Sequence, residues 1–116
     1  MSKLERRVLV AENDVSTRQM LVYVLKGAGY FVTTATNGQE AWEAVQRSSF
    51  DLIVTDTQLP ETTCSQLCAK VRDSDDKVPI VLLTSETLER KPSWMAMYRI
   101  SAMCSPREFA DVVDGL

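Results

Sequence analysis

The 116-residue sequence predicts one α/β domain with a parallel sheet between two layers of helices. Two observations predict this class. Short apolar runs alternate along the chain with segments whose apolar residues recur at helical spacing, which is the pattern of repeated β–α units. The run of Leu52, Ile53 and Val54 is apolar at every position, as expected of a strand that is buried on both faces. Five such units, (βα)5, follow one another, and we expect right-handed crossovers between them.

The first half of the chain predicts two β–α units. Asp14 is one candidate N-cap of the first helix, and Ser16, in a capping box with Gln19, is the other. β-Branched and aromatic residues mark the second strand, and Asn37-Gly38 turns the chain into the second helix. The predicted elements are the strand Arg7 to Ala11, the helix Val15 to Lys26, the strand Tyr30 to Ala35 and the helix Gln39 to Arg47.

The second half predicts three further units. Apolar positions spaced i, i+3, i+4 and i+7 mark the third helix, and Ser105-Pro106 supplies an N-cap and a first-position proline for the last one. The predicted elements are the strand from Phe50 to Asp56, the helix containing Cys64, Leu67, Cys68 and Val71, the loop Asp73 to Lys77, the strand Val78 to Thr84, the strand Ile100 to Cys104 and the helix from Ser105.

Polar residues follow three of the predicted strands. Glu12 and Asn13 come after the first strand, Asp56 ends the third, and Thr84 with Ser85 ends the fourth. Since parallel strands present their carboxyl ends at one edge of the sheet, where ligands bind, we expect these residues to converge. Glu12 and Asn13 can equally be loop residues that suit the positive end of the following helix.

Composition excludes several classes of function. The net charge of −3 gives no footprint for nucleic-acid binding, and no apolar run approaches the roughly 18 residues that span a bilayer. The charged N-terminus lacks a signal-peptide core, so we expect a cytoplasmic protein. The absence of histidine excludes Ser-His and Cys-His catalysis within this chain. Three cysteines argue against a disulfide framework, and buried thiols are favoured over a metal site.

Five segments of the sequence, in this order, resemble the receiver domain of two-component response regulators. They are VLVAENDVSTR, GYFVTTATNGQEAW, FDLIVTDTQLP, VPIVLLTS and SPREF. The resemblance implies the flavodoxin-like doubly wound fold, a three-layer sandwich with the strand order 2-1-3-4-5. It also implies a signalling domain that assists its own modification and is not a conventional enzyme.

The resemblance implies a role for each polar strand end. Asp56 matches the aspartate that accepts a phosphoryl group from the phosphohistidine of a sensor histidine kinase or phosphotransfer protein. Glu12 and Asn13 match the acidic pair that holds Mg²⁺, with Asp56 and the backbone carbonyl of Gln58 as further ligands. Thr84 matches the switch hydroxyl. Phosphoryl transfer depends on positioning and charge neutralisation, and Mg²⁺ prefers oxygen ligands.

Four residues depart from the pattern of the family. Asn13 replaces an aspartate and brings no charge to the metal, and Ser105 replaces the lysine that pairs with the phosphoryl group. Ala102 replaces a switch aromatic, and Cys64 replaces a frequent glycine. Two functions therefore stay open: a Mg²⁺-dependent phosphoacceptor, or a pseudo-receiver that binds its partner without phosphorylation.

The resemblance also carries expectations about organisation. Residues 1–116 are expected to form one receiver-like domain, and the short last helix suggests that it was excised from a longer protein. Residues 87–116 correspond to the output face of the family, which predicts a homodimer or effector contact there. We expect this domain to contact neither nucleic acid nor membrane directly.

Overall fold

Five strands and three helices make up the part of the chain that the computed structural model describes, residues 6–56, 64–74, 78–84 and 97–101. None of these helices is long and apolar enough to cross a membrane. In chain order the elements are β1 (Arg7–Ala11), α1 (Val15–Gly27), β2 (Phe31–Ala35), α2 (Gly38–Arg47), β3 (Leu52–Asp56), α3 (Cys64–Ser74), β4 (Ile80–Thr84) and β5 (Met97–Ser101).

The strands form one sheet in the order β2-β1-β3-β4-β5. Each neighbouring pair runs parallel. The chain places β2 on one side of β1, then crosses over and adds β3, β4 and β5 on the other side. The direction in which strands are added therefore reverses at β1. This confirms the predicted doubly wound, flavodoxin-like architecture, in which the strand ends beside the reversal form a crevice.

Apolar residues cover both faces of the sheet. On one face, Leu9 and Ala11 of β1 belong to a buried cluster that includes Ala41 of α2 and Leu67 of α3. On the other face, the intervening residues of β1 and β3 belong to a second cluster with α1, namely Val8, Val10, Leu52, Val54, Leu21 and Leu25. The two clusters are what a sheet between two helical layers requires, so the three-layer prediction is confirmed for the described residues.

Helix α1 begins at Asp14, which settles the choice between the two candidate N-caps. The Asp14 carboxylate accepts hydrogen bonds from the backbone N–H of Thr17 at 2.8 Å and from the Thr17 hydroxyl at 2.7 Å. These bonds hold the pKa of Asp14 below its usual value. At the other end Gly29 has a φ of 98°, a left-handed conformation that glycine adopts without steric cost.

Several element boundaries differ from the predictions; β3, for example, begins at Leu52 rather than Phe50. The amide of Tyr30 donates to the Leu25 carbonyl at the end of α1, so β2 begins one residue later than predicted. Pro79 has no N–H to give to a ladder, and its carbonyl accepts from Ile53, so β4 begins at Ile80 rather than Val78. Helix α3 continues to Ser74, into the segment that was predicted as a loop.

The position of β5 is the largest correction. The sequence predicted a strand from Ile100 to Cys104, whereas β5 spans Met97–Ser101. Each residue of β5 pairs with one residue of β4, from Ile80 opposite Met97 to Thr84 opposite Ser101. The register is decided by pairing with β4, and a run of apolar residues in the sequence does not reveal that pairing. The predicted last helix from Ser105 lies outside the described residues.

Asn37, predicted as a turn residue, is the N-cap of α2, and this carries a stability prediction. Its side-chain oxygen accepts from the backbone N–H of Glu40 at 2.8 Å. Replacing Asn37 by alanine should lower the free energy of unfolding by about 1 kcal/mol, because one helix N–H loses its partner. Replacing it by aspartate keeps the acceptor and should change stability by only a few tenths of that amount. Urea unfolding of both variants checks this, and equal losses would contradict the capping role.

Candidate functional site

The sheet register brings the predicted polar residues to one edge. Ala11 of β1 lies opposite Thr55 of β3, so Glu12 follows at the level of Asp56. Asp56 in turn lies opposite Leu83 of β4, which places Thr84 one residue beyond it. The convergence of Glu12, Asp56 and Thr84 on the carboxyl edge therefore holds at the level of the backbone. The side chain of Thr84 lies outside what the structure describes.

Glu12 is the most unusual residue of this edge, because its carboxyl group is buried. Glu12 is only 2% exposed, and its side chain shares a hydrogen bond with Asp56. The pKa of Glu12 is raised to about 7, chiefly by burial. The hydrogen bond from the Asp14 amide opposes this shift, and the contact with Asp56 and the charge of Asp14 contribute to it. A hydrogen bond between two carboxyl groups requires one proton, and the raised pKa of Glu12 favours Glu12 as its carrier.

Backbone contacts fix the loop that carries Glu12. The Glu12 amide donates to the Ala35 carbonyl at the end of β2, at 3.0 Å. The amide of Asp14 donates to the Glu12 carboxyl oxygen, also at 3.0 Å. The Ala35 contact thus holds the backbone of Glu12, and its side chain cannot turn away from Asp56 without breaking the hydrogen bond from the Asp14 amide. Asn13, between them, is exposed to solvent.

Two sets of hydrogen bonds at this edge of the sheet were not predicted from the sequence. Arg18 of α1 donates to the carbonyl oxygens of Glu12 and Asn13, at 3.0 and 3.4 Å. The Glu40 carboxylate accepts from the amide and hydroxyl of Thr36, which keeps the pKa of Glu40 below its usual value. The spacing of Arg18, one helical turn after the N-cap, is the signal that could have indicated a side chain reaching back over the loop.

Several residues singled out in the sequence, as site residues or as departures from the family pattern, lie outside the described residues. These are Gln58, Ser85, Ala102 and Ser105, together with the side chain of Cys64. Within the described part of the chain, no group of three or more acidic, cysteine or histidine side chains is placed to hold a metal ion. The carboxylates brought together there are those of Glu12 and Asp56.

The donor set nevertheless fits Mg²⁺. The ion takes oxygen ligands, keeps several waters, and is commonly bound through one or two protein carboxylates rather than by a complete protein cage. Glu12 and Asp56 supply two carboxylates, and Asn13, next to Glu12 in the sequence, has an amide oxygen. Burial is the main cause of the raised pKa of Glu12, and the neighbouring Asp56 adds to it; a divalent cation bound here would favour the ionised carboxylate.

Solved structures share this fold closely. The chemotaxis protein CheY4 of Vibrio cholerae has a TM-score of 0.86 and 28% sequence identity, and the match covers 95% of this chain and 97% of that chain. The receiver domain of a sensor histidine kinase from Pseudomonas aeruginosa PAO1 has a TM-score of 0.83 at 20% identity, covering 95% of both chains. The latter was solved with a magnesium ion coordinated in its active site cleft.

Protein relatives agree with these structures. The response regulator receiver protein CpdR of Brucella abortus is 37% identical over 79 residues, which cover 68% of this chain and 66% of that protein. The DNA-binding response regulator MtrA of Mycobacterium tuberculosis is 36% identical over 87 residues, covering 75% of this chain and 38% of that protein. This chain therefore spans less than two thirds of the length of either relative.

The fold and the acidic edge thus define a CheY-like α/β domain of two-component signalling. The family model of the response regulator receiver domain matches residues 8–103, and the chain belongs to this family. Receiver domains are signalling domains, so the family predicted from the sequence is confirmed. The match ends before Ser105, so the equivalence of Ser105 with the family's lysine stays a prediction.

Proposed function

We propose that Asp56 accepts a phosphoryl group in a Mg²⁺-dependent reaction, from a sensor histidine kinase or a phosphotransfer protein. The observation that carries this proposal is the carboxyl pair at the sheet edge, where the buried Glu12 is hydrogen-bonded to Asp56. A buried carboxyl group beside a second carboxylate is costly unless a proton or a cation balances the charge. The costly arrangement lies where α/β sheets place their ligands, which supports a functional role.

The proposed reaction is a displacement at phosphorus. A carboxylate oxygen of Asp56 forms a bond to the phosphorus while the bond from phosphorus to the donor's imidazole nitrogen breaks. The nitrogen keeps the electron pair and regains a proton from solvent. Asp56 is the last residue of a paired strand, so its backbone is fixed, and it is only partly buried, so a donor can approach.

Mg²⁺ would supply the charge neutralisation that the transferred group needs. Glu12, Asn13 and Asp56 are the described residues that would hold it, with the backbone carbonyl of Gln58 as a further ligand. Because asparagine brings an oxygen but no charge, we expect weaker Mg²⁺ binding than an acidic residue at that position would give. Thr84, at the end of β4, is the candidate hydroxyl for the phosphorylated oxygen atoms.

The experiment is the intact mass of the protein after incubation with Mg²⁺ and acetyl phosphate. We expect one phosphoryl adduct on the wild type and none on Asp56→Asn. The matched control is Asp51→Asn, which makes the same change in an aspartate before β3, at the opposite edge of the sheet. It should be modified like the wild type.

The alternative function gives different results. A pseudo-receiver, for which Asn13 and Ser105 were the sequence arguments, would show no adduct and no heat of Mg²⁺ binding by calorimetry. An adduct that persists in Asp56→Asn would instead place the modification on another residue.

A homodimer through residues 87–116 and a cytoplasmic location stay predictions. Sedimentation of the protein with and without the phosphodonor tests the first of these.

A further inference from the structure

We propose that Arg18 is a positioning residue for the metal site, because it holds the backbone of the loop that carries Glu12 and Asn13. The inference rests on the proposed function and adds a residue to it. Arg18 would contact neither the metal ion nor the phosphoryl group. Its role would be to fix the two oxygen donors of this loop in the geometry that Mg²⁺ needs.

The contacts of Arg18 carry this inference. One guanidinium nitrogen, Nη1, donates to the Glu12 carbonyl at 3.0 Å and to the Asn13 carbonyl at 3.4 Å. These carbonyl groups belong to the two consecutive residues whose side chains are candidate metal ligands. The amide side of the same loop is held by Ala35, which accepts from the Glu12 amide. With Arg18 in place, the loop is therefore bonded through both its N–H and its C=O groups.

Helix geometry explains why this residue can reach the loop. The amide of Arg18 donates to the Asp14 carbonyl at 2.9 Å, so Arg18 lies one turn into α1. Helical side chains lean toward the helix N-terminus, which carries a long side chain at this position back over the preceding loop. A positive charge gains nothing from the helix dipole so near the N-terminus. In addition to the hydrogen bonds described above, the charge of Arg18 helps to lower the pKa values of the Asp14 and Glu40 carboxylates, which is a contribution separate from its hold on the loop.

The sign of the expected effect separates this role from simple electrostatics. Coulomb's law alone predicts that removing a cation near a metal site tightens Mg²⁺ binding, because one repulsion is lost. If Arg18 positions the ligands, removing its guanidinium weakens Mg²⁺ binding instead. Loss of an outer contact that orients metal ligands commonly weakens metal affinity about tenfold or more. The two explanations therefore predict changes of opposite direction.

The test is a calorimetric Mg²⁺ titration of Arg18→Met, Arg18→Lys and the control Lys26→Met. Lys26 is an exposed cation near the end of the same helix, and it has no part in the proposed site. We expect about tenfold weaker binding for Arg18→Met. Arg18→Lys should restore part of the Mg²⁺ affinity, because its ammonium group is still a charged donor but lacks the planar geometry of the guanidinium. Lys26→Met should bind within about twofold of the wild type, because salt screens distant charges.

A metal-free readout keeps this inference distinct from the proposed function. The amide of Asp14, bonded to the Glu12 carboxyl, should exchange its hydrogen faster in Arg18→Met than in Lys26→Met, as measured by NMR. Unchanged exchange, or Mg²⁺ affinity that is unchanged or tighter in Arg18→Met, would overturn the inference. If the wild type binds no Mg²⁺, the proposed function has failed, and the exchange rates still decide whether Arg18 holds the loop.

Discussion

Replacing Glu12 by glutamine is expected to stabilise the metal-free protein at pH 8 by roughly 2–3 kcal/mol. Folding raises the pKa of Glu12 from 4.5 to about 7, chiefly through burial, so the folded state favours the protonated acid. At pH 8 that proton must be given up, and a buried charge beside Asp56 results. Glutamine stays neutral, and it keeps both an oxygen for the Asp14 amide and a donor for Asp56.

The same pKa shift fixes the direction of the pH dependence. The stability that protonated Glu12 contributes is fully present below pH 4.5 and is lost as the pH rises through about 7. The free energy of unfolding of the wild type should therefore fall across this window, and that of Glu12→Gln should fall less. Urea unfolding from pH 5 to pH 8, without divalent cations, measures both. Glu43→Gln is the matched control, because the Glu43 side chain of α2 is 48% exposed and its ion pair with the exposed Arg47, at 3.6 Å, is a surface pair of small energetic weight.

Mg²⁺ should reverse the loss that the wild type suffers at high pH. The ion binds the ionised carboxylate, so saturating Mg²⁺ should raise the midpoint of thermal unfolding at pH 8 and do little at pH 5. Glu12→Gln should respond much less at either pH. A variant that is less stable than the wild type throughout, or a wild type that responds equally to Mg²⁺ at both pH values, would contradict this account of Glu12.

Replacing Leu21 by alanine should lower the free energy of unfolding by about 3 kcal/mol. Leu21 is 1% exposed and belongs to the cluster through which α1 packs on β1 and β3. The substitution removes three carbon atoms from a close-packed layer and leaves a cavity. The loop with Glu12 connects β1 to α1, so loosening this helix should also weaken Mg²⁺ binding. Urea unfolding and calorimetry measure the two effects.

Tyr23→Ala is the control for this prediction. Tyr23 lies two residues further along the same helix and is 81% exposed, so its removal deletes a larger side chain without opening a cavity. Its effect on the free energy of unfolding should stay within about 0.5 kcal/mol. Similar losses for both variants would mean that α1 is stabilised by something other than the layer of apolar residues beneath it.

Much of the fold could be predicted from local patterns. Apolar runs fixed β1 and β3, because strands buried on both faces need an apolar residue at nearly every position. Leu21 and Leu25, apolar residues four positions apart in α1, are buried as helical spacing on one face requires. The register of β5 could not be predicted in this way, because it depends on pairing with β4. In the sequence, apolar residues also continue beyond the last residue of β5, so they do not mark where the strand ends.

The candidate site, too, was partly predictable from the sequence and partly decided by the tertiary structure. The sequence by itself determined which polar residues follow the strands, and the order of the strands implied that Glu12, Asp56 and Thr84 share an edge. Only the tertiary structure decided that Glu12 is buried, that Asp56 is its hydrogen-bond partner, and that Arg18 bonds the loop beside them. The physical reason is that burial and hydrogen bonding depend on residues distant in the chain. Ala35 and Asp56, both in contact with Glu12, come from two other strands.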